Sequence, residues 1–295
     1  MKIGDTVVRK SYNKDITFKI IDVKDVNDKV IYVLKGVNLR IVADADGEDL
    51  EEVKEDSFGR AEILFDKKVN DSIRSIINER DNKDVKKKHK SSKQIKITPI
   101  NNNKSMTFRR PGKILHIDGD AAYLEVCLKV YKQLSIDAVG RVITESEQPD
   151  KILSLVKEVK PDIVVATGHD GISKDIEDYI DLNNYRNSKY FVEAVCRLRE
   201  YEPNYDNLVI YAGACQSCYE AILDAGANYA SSPERVLIHC LDPVFVCQKV
   251  AYTSINEIVN IQDVVKNTIT GYKGIGGLQT RGKCREGYPK SAFIR

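Results

Sequence analysis

Apolar and polar residues follow two different patterns along the chain, and the change falls near residue 113. Residues 1–65 contain short β-branched runs, which predict a small N-terminal β-barrel of the SH3-like type. From residue 113 onward, short apolar runs alternate with longer segments whose apolar residues recur at helical spacing. This alternation predicts an α/β fold with a parallel sheet that helices cover on both faces.

The segment between these two regions is polar and basic. Residues 66–112 include a lysine-rich run over 84–93 that offers few apolar side chains. We therefore predict an exposed linker, apart from one amphipathic helix over Asn70–Arg80. A lysine cluster also suits nucleic acid, but aromatic residues for base stacking are scarce here, so we expect no nucleic-acid partner. The predicted domains are 1–65, 66–112 and 113–295.

Composition narrows the class of protein. Net charge is +2, and 31% of the residues are charged, as in a globular protein with a polar surface. No apolar run approaches the roughly 20 residues that span a bilayer, so we expect no membrane segment. The N-terminus lacks the features of a secretory signal peptide. Seven irregularly spaced cysteines favour reduced thiols, and hence an intracellular protein, over a disulfide framework.

Two apolar runs of the second region end in residues that carry chemistry. Ile163–Ala166 is followed shortly by His169, and Leu208–Ala212 is followed by Gly213, Ala214 and Cys215. Both runs are typical of strands buried on two faces. The carboxyl ends of parallel strands share one sheet edge, where α/β proteins place ligands. We therefore expect the imidazole and the thiol to lie close together.

A histidine beside a cysteine can activate the thiol as a nucleophile. A helix predicted from Ser217 should lower the pKa of the Cys215 thiol through its dipole. Backbone amides of Asp170, Gly171 and Cys215 are candidates for an oxyanion hole. Taken singly, a cysteine after a strand is usually a small buried hydrophobe, and a loop histidine is usually surface. Their joint placement favours catalysis by His169 and Cys215.

Other chemistries fit the sequence less well. Cys215 and Cys218 form a Cys-x-x-Cys motif, which suits a thiol redox protein. The cysteines and His239 lack the spacing of a zinc site, so we expect no metal. Gly274–Gly277 does not join a strand to a helix as a dinucleotide fingerprint does, and we expect no cofactor. A non-catalytic α/β binding module with an SH3-like adaptor remains an alternative to an enzyme.

Four stretches of the chain together resemble a known family. A strand closing on His, followed by a strand closing on Ala-Cys, resembles the caspase, gingipain and clostripain cysteine peptidases. More narrowly, the chain resembles the YabG family of sporulation-specific cysteine proteases in Ala166–Gly171, Tyr211–Cys218, Gly4–Arg9 and Gly274–Gly282. The resemblance implies a three-layer caspase-like domain, and a protease that cleaves after arginine, cuts itself and processes spore coat and cortex proteins. It also implies a location in the mother-cell cytoplasm, in association with the spore coat.

The same resemblance suggests where a substrate arginine binds. In the wider group the end of the first strand helps to line the pocket for the residue before the cut, and here that position carries Asp118 and Asp120. A carboxylate there would pair with a guanidinium, although Asp120 can equally cap the following helix. Glycine usually follows the histidine in this group, whereas Asp170 intervenes here before Gly171, so either amide can serve the oxyanion hole. The self-cleavage candidates are Arg80, Arg109 and Arg110.

Overall fold

The computed structural model describes residues 1–14, 16–26, 29–53, 60–90, 106–173, 176–291 and 293. The described helices are α1 (Arg60–Lys90), α2 (Ala121–Gln133), α3 (Gln148–Val159), α4 (Ser188–Tyr201), α5 (Tyr219–Asp224), α6 (Asp242–Tyr252) and α7 (Ile261–Lys266). The described strands are β1 (Thr6–Arg9), β2 (Thr17–Val26), β3 (Lys29–Gly36), β4 (Val42–Asp46), β5 (Leu50–Glu52), β6 (Phe108–Arg110), β7 (Ile114–Asp118), β8 (Ala138–Val142), β9 (Ile163–Thr167), β10 (Val209–Ala212), β11 (Tyr229–Ser231), β12 (Ile258–Val259), β13 (Ile275–Gly277), β14 (Thr280–Arg281) and β15 (Arg285–Gly287).

The N-terminal strands form an antiparallel sheet in the order β4-β3-β2-β1-β5. Val7, Phe18, Ile20 and Leu34 form its small apolar core. Among the described residues β4 and β5 do not pair with each other, so they are the two edges of an open sheet. The predicted closed barrel is therefore not found. A closed barrel would require β4 and β5 to pair, and they form opposite edges of the sheet.

Part of the predicted linker is regular structure. Helix α1 extends beyond the predicted Asn70–Arg80 in both directions, and Ile76 packs into the core of the second region with Val69 and Ile73 beside it. At the other end, β6 pairs with β15. Of the lysine-rich run, residues 84–90 belong to α1, and residues 91–93 lie outside the described residues. The three domain boundaries stay a prediction.

The second region is built on a mixed sheet in the order β13-β11-β10-β9-β7-β8. The pairs β10–β11, β9–β10, β7–β9 and β7–β8 are parallel, and β13 runs antiparallel at one edge. All residues of β7, β9 and β10 are buried, as a sheet covered on both faces requires. The predicted α/β fold with a parallel sheet is confirmed.

Successive residues of each central strand face opposite layers of helices. In β9, Ile163 and Val165 join the core formed with α2 and α6, whereas Val164 and Ala166 join the core formed with α3 and α4. This alternation follows from the two-residue period of a strand. The central strands are thus held from both sides, and their carboxyl ends are fixed relative to one another.

Three local predictions differ from the structure. The helix after Cys215 begins at Tyr219 rather than Ser217. Residues 236–240 begin with the apolar run Val-Leu-Ile, which is typical of a strand, but they are irregular apart from a single bridge at His239. The tail from Gly271, predicted as an extended segment or loop, supplies β13 to the central sheet. No helix in the described ranges has both the length and the apolar character to cross a bilayer.

Candidate active site

The loops that carry His169 and Cys215 start from neighbouring parallel strands. Residues Val209–Ala212 of β10 pair in register with Ile163–Ala166 of β9. The Gly213 amide then donates a hydrogen bond to the Ala166 carbonyl at 3.0 Å, which extends the pairing beyond both strands. The two loops therefore leave the same edge of the sheet, at the carboxyl ends of its strands.

The Asp170 carboxylate ties the two loops together. Its Oδ2 accepts hydrogen bonds from the Ser217 hydroxyl at 2.8 Å and the Ser188 hydroxyl at 2.5 Å. Its Oδ1 accepts from the backbone amides of Gly171 at 2.9 Å and Asn187 at 2.7 Å. Burial raises the pKa of the Asp170 carboxyl, and these hydrogen bonds act in the opposite direction. A single half-buried side chain thus joins the histidine loop to the cysteine loop and to the start of α4.

The His169 imidazole is held by an acidic neighbour. Its Nε2 lies 2.9 Å from Asp120 Oδ2, and its backbone amide donates to Glu145 Oε1 at 2.6 Å. The Tyr123 ring packs against the imidazole, with ring centroids 5.8 Å apart. When Nε2 carries a proton toward Asp120, Nδ1 is left as the basic nitrogen.

Asp120 serves several groups at once. Its Oδ1 accepts from the Ala122 and Tyr123 amides and so caps the N-terminus of α2. The Lys35 ammonium, from the N-terminal sheet, lies 2.6 Å from Oδ1. Burial acts to raise the pKa of this carboxyl, but hydrogen bonds from His169 and Lys35 outweigh it and hold the pKa below its usual range. Asp120 is therefore an ionised partner of His169.

The Cys215 thiol is buried in the closed interior. Only 1% of the residue is exposed, and the Ile238 amide donates to Sγ at 3.2 Å. Burial raises the pKa of the thiol to about 11, although the Ile238 amide and the Arg40 guanidinium act to lower it. The predicted lowering by a helix dipole is not found, because α5 begins four residues beyond Cys215 and burial dominates.

Asp118 forms a buried ion pair with Arg40. The guanidinium binds both carboxylate oxygens, with Nη1–Oδ1 at 3.0 Å and Nη2–Oδ2 at 2.5 Å, and both side chains are fully buried. Burial acts to raise the pKa of the Asp118 carboxyl, but Arg40 and His116 hold it well below its usual range. The predicted arginine partner Asp118 is thus paired with an arginine of the same chain.

A cavity of about 420 Å³ opens between the N-terminal sheet and the loops that carry His169 and Cys215. Arg40 and Phe18 line it from one side, and His169, Gly171 and Gln216 line it from the other. Gln216 follows Cys215 directly in the chain. Of the predicted pair, His169 lines the cavity, whereas the Cys215 thiol is buried and is not among the lining residues. Of the three predicted oxyanion donors, the Gly171 amide already donates to Asp170.

The predicted self-cleavage arginines lie in regular structure. Arg80 is in α1, where its guanidinium donates to the Leu134 carbonyl at 2.7 Å and lies over the Tyr252 ring. Arg109 and Arg110 belong to β6 and pair with β15. Cleavage at any of these sites would require local opening of the chain, because a protease binds its substrate as an extended segment. These sites stay a prediction.

The rival chemistries depend on the cysteines and on the residues that could hold a metal ion. All seven cysteines are free thiols, and Cys215 and Cys218 face different backbone groups, those of Ile238 and Tyr179 respectively. Within the described ranges there is no cluster of three or more His, Cys, Asp or Glu side chains that could hold a metal ion.

Sequence reasoning missed three groups at this site. Arg40 and Lys35 come from the N-terminal sheet, and Glu145 follows β8. No local pattern marks them, because each acts on residues far away in the chain, as Arg40 does on Asp118 across 78 positions. The Asp-Gly-Asp sequence at the end of β7 indicated the two carboxylates of this site, but it gave no indication of the residues that pair with them.

Comparison with known proteins identifies the family. A family model described as YabG peptidase U57 matches residues 2–289. The chain is also 41% identical over 289 residues to the sporulation-specific protease YabG of Bacillus subtilis (strain 168), a match that covers 98% of both chains. These matches include the loops of His169 and Cys215. The chain therefore belongs to the YabG peptidase family.

Proposed function

We propose that this peptidase is a cysteine endopeptidase that cleaves after arginine during sporulation, with Cys215 as nucleophile and His169 as proton carrier. The observation that supports the proposal is that the loops of both residues leave one sheet edge from neighbouring parallel strands, β9 and β10, and that His169 and Gln216 line a common cavity there. The name of the Bacillus subtilis relative supports a role in sporulation. We assign spore coat and cortex proteins as substrates, and the mother-cell cytoplasm and spore coat as the location.

The chemistry follows from the residues at the sheet edge. The His169 imidazole accepts the thiol proton, and Cys215 Sγ attacks the carbonyl carbon of the scissile bond. The imidazolium then gives this proton to the leaving amine, which leaves a thioester that water hydrolyses. Asp120 is a positioning residue, because its contact with Nε2 at 2.9 Å holds the ring.

The oxyanion of the tetrahedral intermediate needs preorganised amide donors. The candidates are the amides of Asp170, Gly171 and Cys215. We assign the main role to Asp170 and Cys215, because the Gly171 amide already serves the Asp170 carboxylate at 2.9 Å. Asp170 in turn keeps the two donor loops at a fixed separation through its bond to Ser217.

Arginine specificity is assigned to Asp118. Its bidentate contact with Arg40 supports a pocket of the right size and charge for a guanidinium, since such fork-to-fork pairs are the geometry by which carboxylates select arginine. Asp120 is a weaker candidate because its oxygens already bind His169, Lys35 and the α2 amides.

We also propose a caspase-like three-layer fold for residues 113–295 and an SH3-like origin for the open N-terminal sheet.

A gel assay with mapped products tests the proposal. Spore coat extract is incubated with the parent chain, with Cys215→Ala, with His169→Ala, and with Cys218→Ala as a matched control. We expect new fragments that end in arginine with the parent and with Cys218→Ala, and none with the other two. Cleavage that survives Cys215→Ala would refute the assignment, and equal loss in Cys218→Ala would favour a dithiol redox role.

A further inference from the structure

A tight loop of the N-terminal sheet reaches into the candidate active site. This loop, Gly36–Ile41, connects β3 to β4, and it carries Arg40 at its end. Arg40 is 1% exposed although it belongs to a connection at the edge of its own sheet. Its long side chain leaves that sheet and enters the second region of the molecule, where it contacts Asp118.

The loop backbone lies along the segment that contacts the Cys215 thiol. Leu39 forms an antiparallel bridge with His239, and the Cys240 amide donates to the Asn38 carbonyl at 3.1 Å. The Ile238 amide, next in the same segment, donates to Cys215 Sγ. Main-chain pairing of this kind is how proteins hold an extended peptide at an exposed edge. The loop therefore occupies the position of a bound peptide.

The Arg40 guanidinium fills the pocket that we assign to substrate arginine. Besides its two contacts with Asp118, Nη1 donates to the Gly168 carbonyl at 3.3 Å. Its Nε has no hydrogen-bond partner among the described residues. A buried ion pair gains little net stability once desolvation is counted. Arg40 is thus an occupant that matches the pocket and can still be displaced.

The backbone around Arg40 is folded back rather than extended. The Ile41 amide donates to the Leu39 carbonyl at 2.8 Å, which closes a three-residue turn centred on Arg40. The Gly36 amide donates to the Ile41 carbonyl at 2.8 Å and closes the loop. Tyr123 Oη donates to both the Gly36 and Leu39 carbonyls. This geometry keeps the peptide bond after Arg40 out of the extended form that cleavage requires.

We propose that the loop Gly36–Ile41 is an internal pseudosubstrate that holds the arginine pocket closed until it is displaced. The inference rests on the proposed function, because it treats Asp118 as the arginine pocket. The loop also lies close to the Cys215 thiol, because burial raises the pKa of that thiol while the charge and the backbone of Arg40 act to lower it. Substrate arginine and Arg40 then compete for one carboxylate.

A substitution at Gly36 tests the proposal without removing any charged side chain. A Cβ at this position would lie 2.3 Å from the Leu39 carbonyl oxygen, so alanine cannot fit unless the loop opens. Gly36→Ala therefore releases the loop, whereas Arg40→Ala empties the pocket directly. Gly47→Ala is the matched control in the same sheet, because its Cβ would meet only side-chain atoms, with the Tyr32 ring nearest at 3.2 Å.

Calorimetric titration with agmatine, a small guanidinium compound, measures whether the pocket is open in the full chain. Putrescine, which lacks the guanidinium, is the control ligand. We expect Gly36→Ala and Arg40→Ala to bind agmatine at least about tenfold more tightly than the parent and Gly47→Ala, with putrescine unchanged. Equal agmatine affinity in all four proteins would overturn the proposal. Gly36→Ala keeps the Arg40–Asp118 charges and so covers the case in which Arg40→Ala fails to fold.

An activity measurement separates this inference from the proposed function. Hydrolysis of an arginyl peptide coumarin amide should rise at least about tenfold in Gly36→Ala over the parent. If Gly36→Ala binds agmatine more tightly than the parent but no variant hydrolyses the peptide, the result would support the proposal that Arg40 occupies the pocket and would count against the protease assignment. A parent fragment that begins at Ile41 would show that the loop is cut as a substrate, and would overturn its role as a block.

Discussion

The buried ion pair between Arg40 and Asp118 leads to a quantitative prediction for the free energy of unfolding. Asp118→Asn keeps the shape of the side chain but removes its charge, while the Arg40 guanidinium remains fully buried. Asp118 also accepts hydrogen bonds from the Thr167 hydroxyl at 2.9 Å and the Asp120 amide at 2.9 Å. An asparagine has only one acceptor oxygen for these donors. The substitution therefore leaves a buried cation without a counter-charge.

Removing one partner of a buried ion pair costs about 3–5 kcal/mol of unfolding free energy. The double variant Arg40→Met, Asp118→Asn removes both charges, and we expect it to lose less than Asp118→Asn alone. With Arg40→Met alone completing the double-mutant cycle, the interaction energy should be about 1–3 kcal/mol, since the two side chains are in direct contact. Arg141→Ala, whose ion pair with Glu158 is exposed, is a control expected to change stability by under about 1 kcal/mol.

Urea unfolding followed by far-UV circular dichroism gives these free energies, and the chain has 15 tyrosines but no tryptophan for fluorescence. The reasoning would be refuted if Asp118→Asn lowered the free energy of unfolding by under about 1 kcal/mol, because burying a guanidinium without its counter-charge costs more than that. The sign of the pH dependence gives a second check. The pKa of Asp118 is held below its usual range, so its stabilisation is present above about pH 4 and declines as the pH falls below that value.

The remaining predictions concern the thiol and the loop tie. At pH 7.5 a pKa of about 11 leaves Cys215 with about 300-fold less thiolate than a free cysteine. Iodoacetamide labelling followed by mass spectrometry should therefore modify exposed Cys196 long before Cys215, and equal rates would contradict the burial. Asp170→Ala should cost about 2–4 kcal/mol in urea unfolding, because it leaves several buried donors without an acceptor, and should abolish cleavage. Ser217→Ala should lower the free energy of unfolding by less, because it removes only one of these hydrogen bonds. If Asp170→Ala lowered it no more than the exposed-site control Asp150→Ala does, the role of Asp170 in joining the two loops would be contradicted.

The sequence was sufficient to predict the parallel sheet and to place the His169 and Cys215 loops at one edge of it. Strands β9 and β10 consist almost entirely of apolar residues, which is the usual pattern of a strand buried on both faces. Small residues then end each run before His169 or Cys215. Adjacency along the chain made the two strands neighbours in the sheet, as is usual for successive βα units. These features depend on local patterns, and local patterns are visible in a sequence.

The features that sequence reasoning missed depend on distant contacts. Arg40 lies in the short apolar stretch Leu39–Val42, and nothing near it signals that its guanidinium binds a carboxylate 78 positions away. Strand β11 has only three residues, too few for a recognisable period. The pKa of Cys215 was predicted in the wrong direction, because its burial depends on residues such as Ile238 rather than on the helix that follows it.

Labelling with an arginyl acyloxymethyl ketone, which alkylates a thiol held beside a bound arginine, tests the central claim most directly. The parent and Gly36→Ala are treated, digested and mapped by mass spectrometry, with a glutamyl analogue as control. We predict one adduct, on Cys215, formed faster in Gly36→Ala, absent in His169→Ala and not formed by the glutamyl compound. An adduct on another cysteine, or loss of protease activity without modification of Cys215, would contradict the assignment of Cys215 and His169 to peptide cleavage.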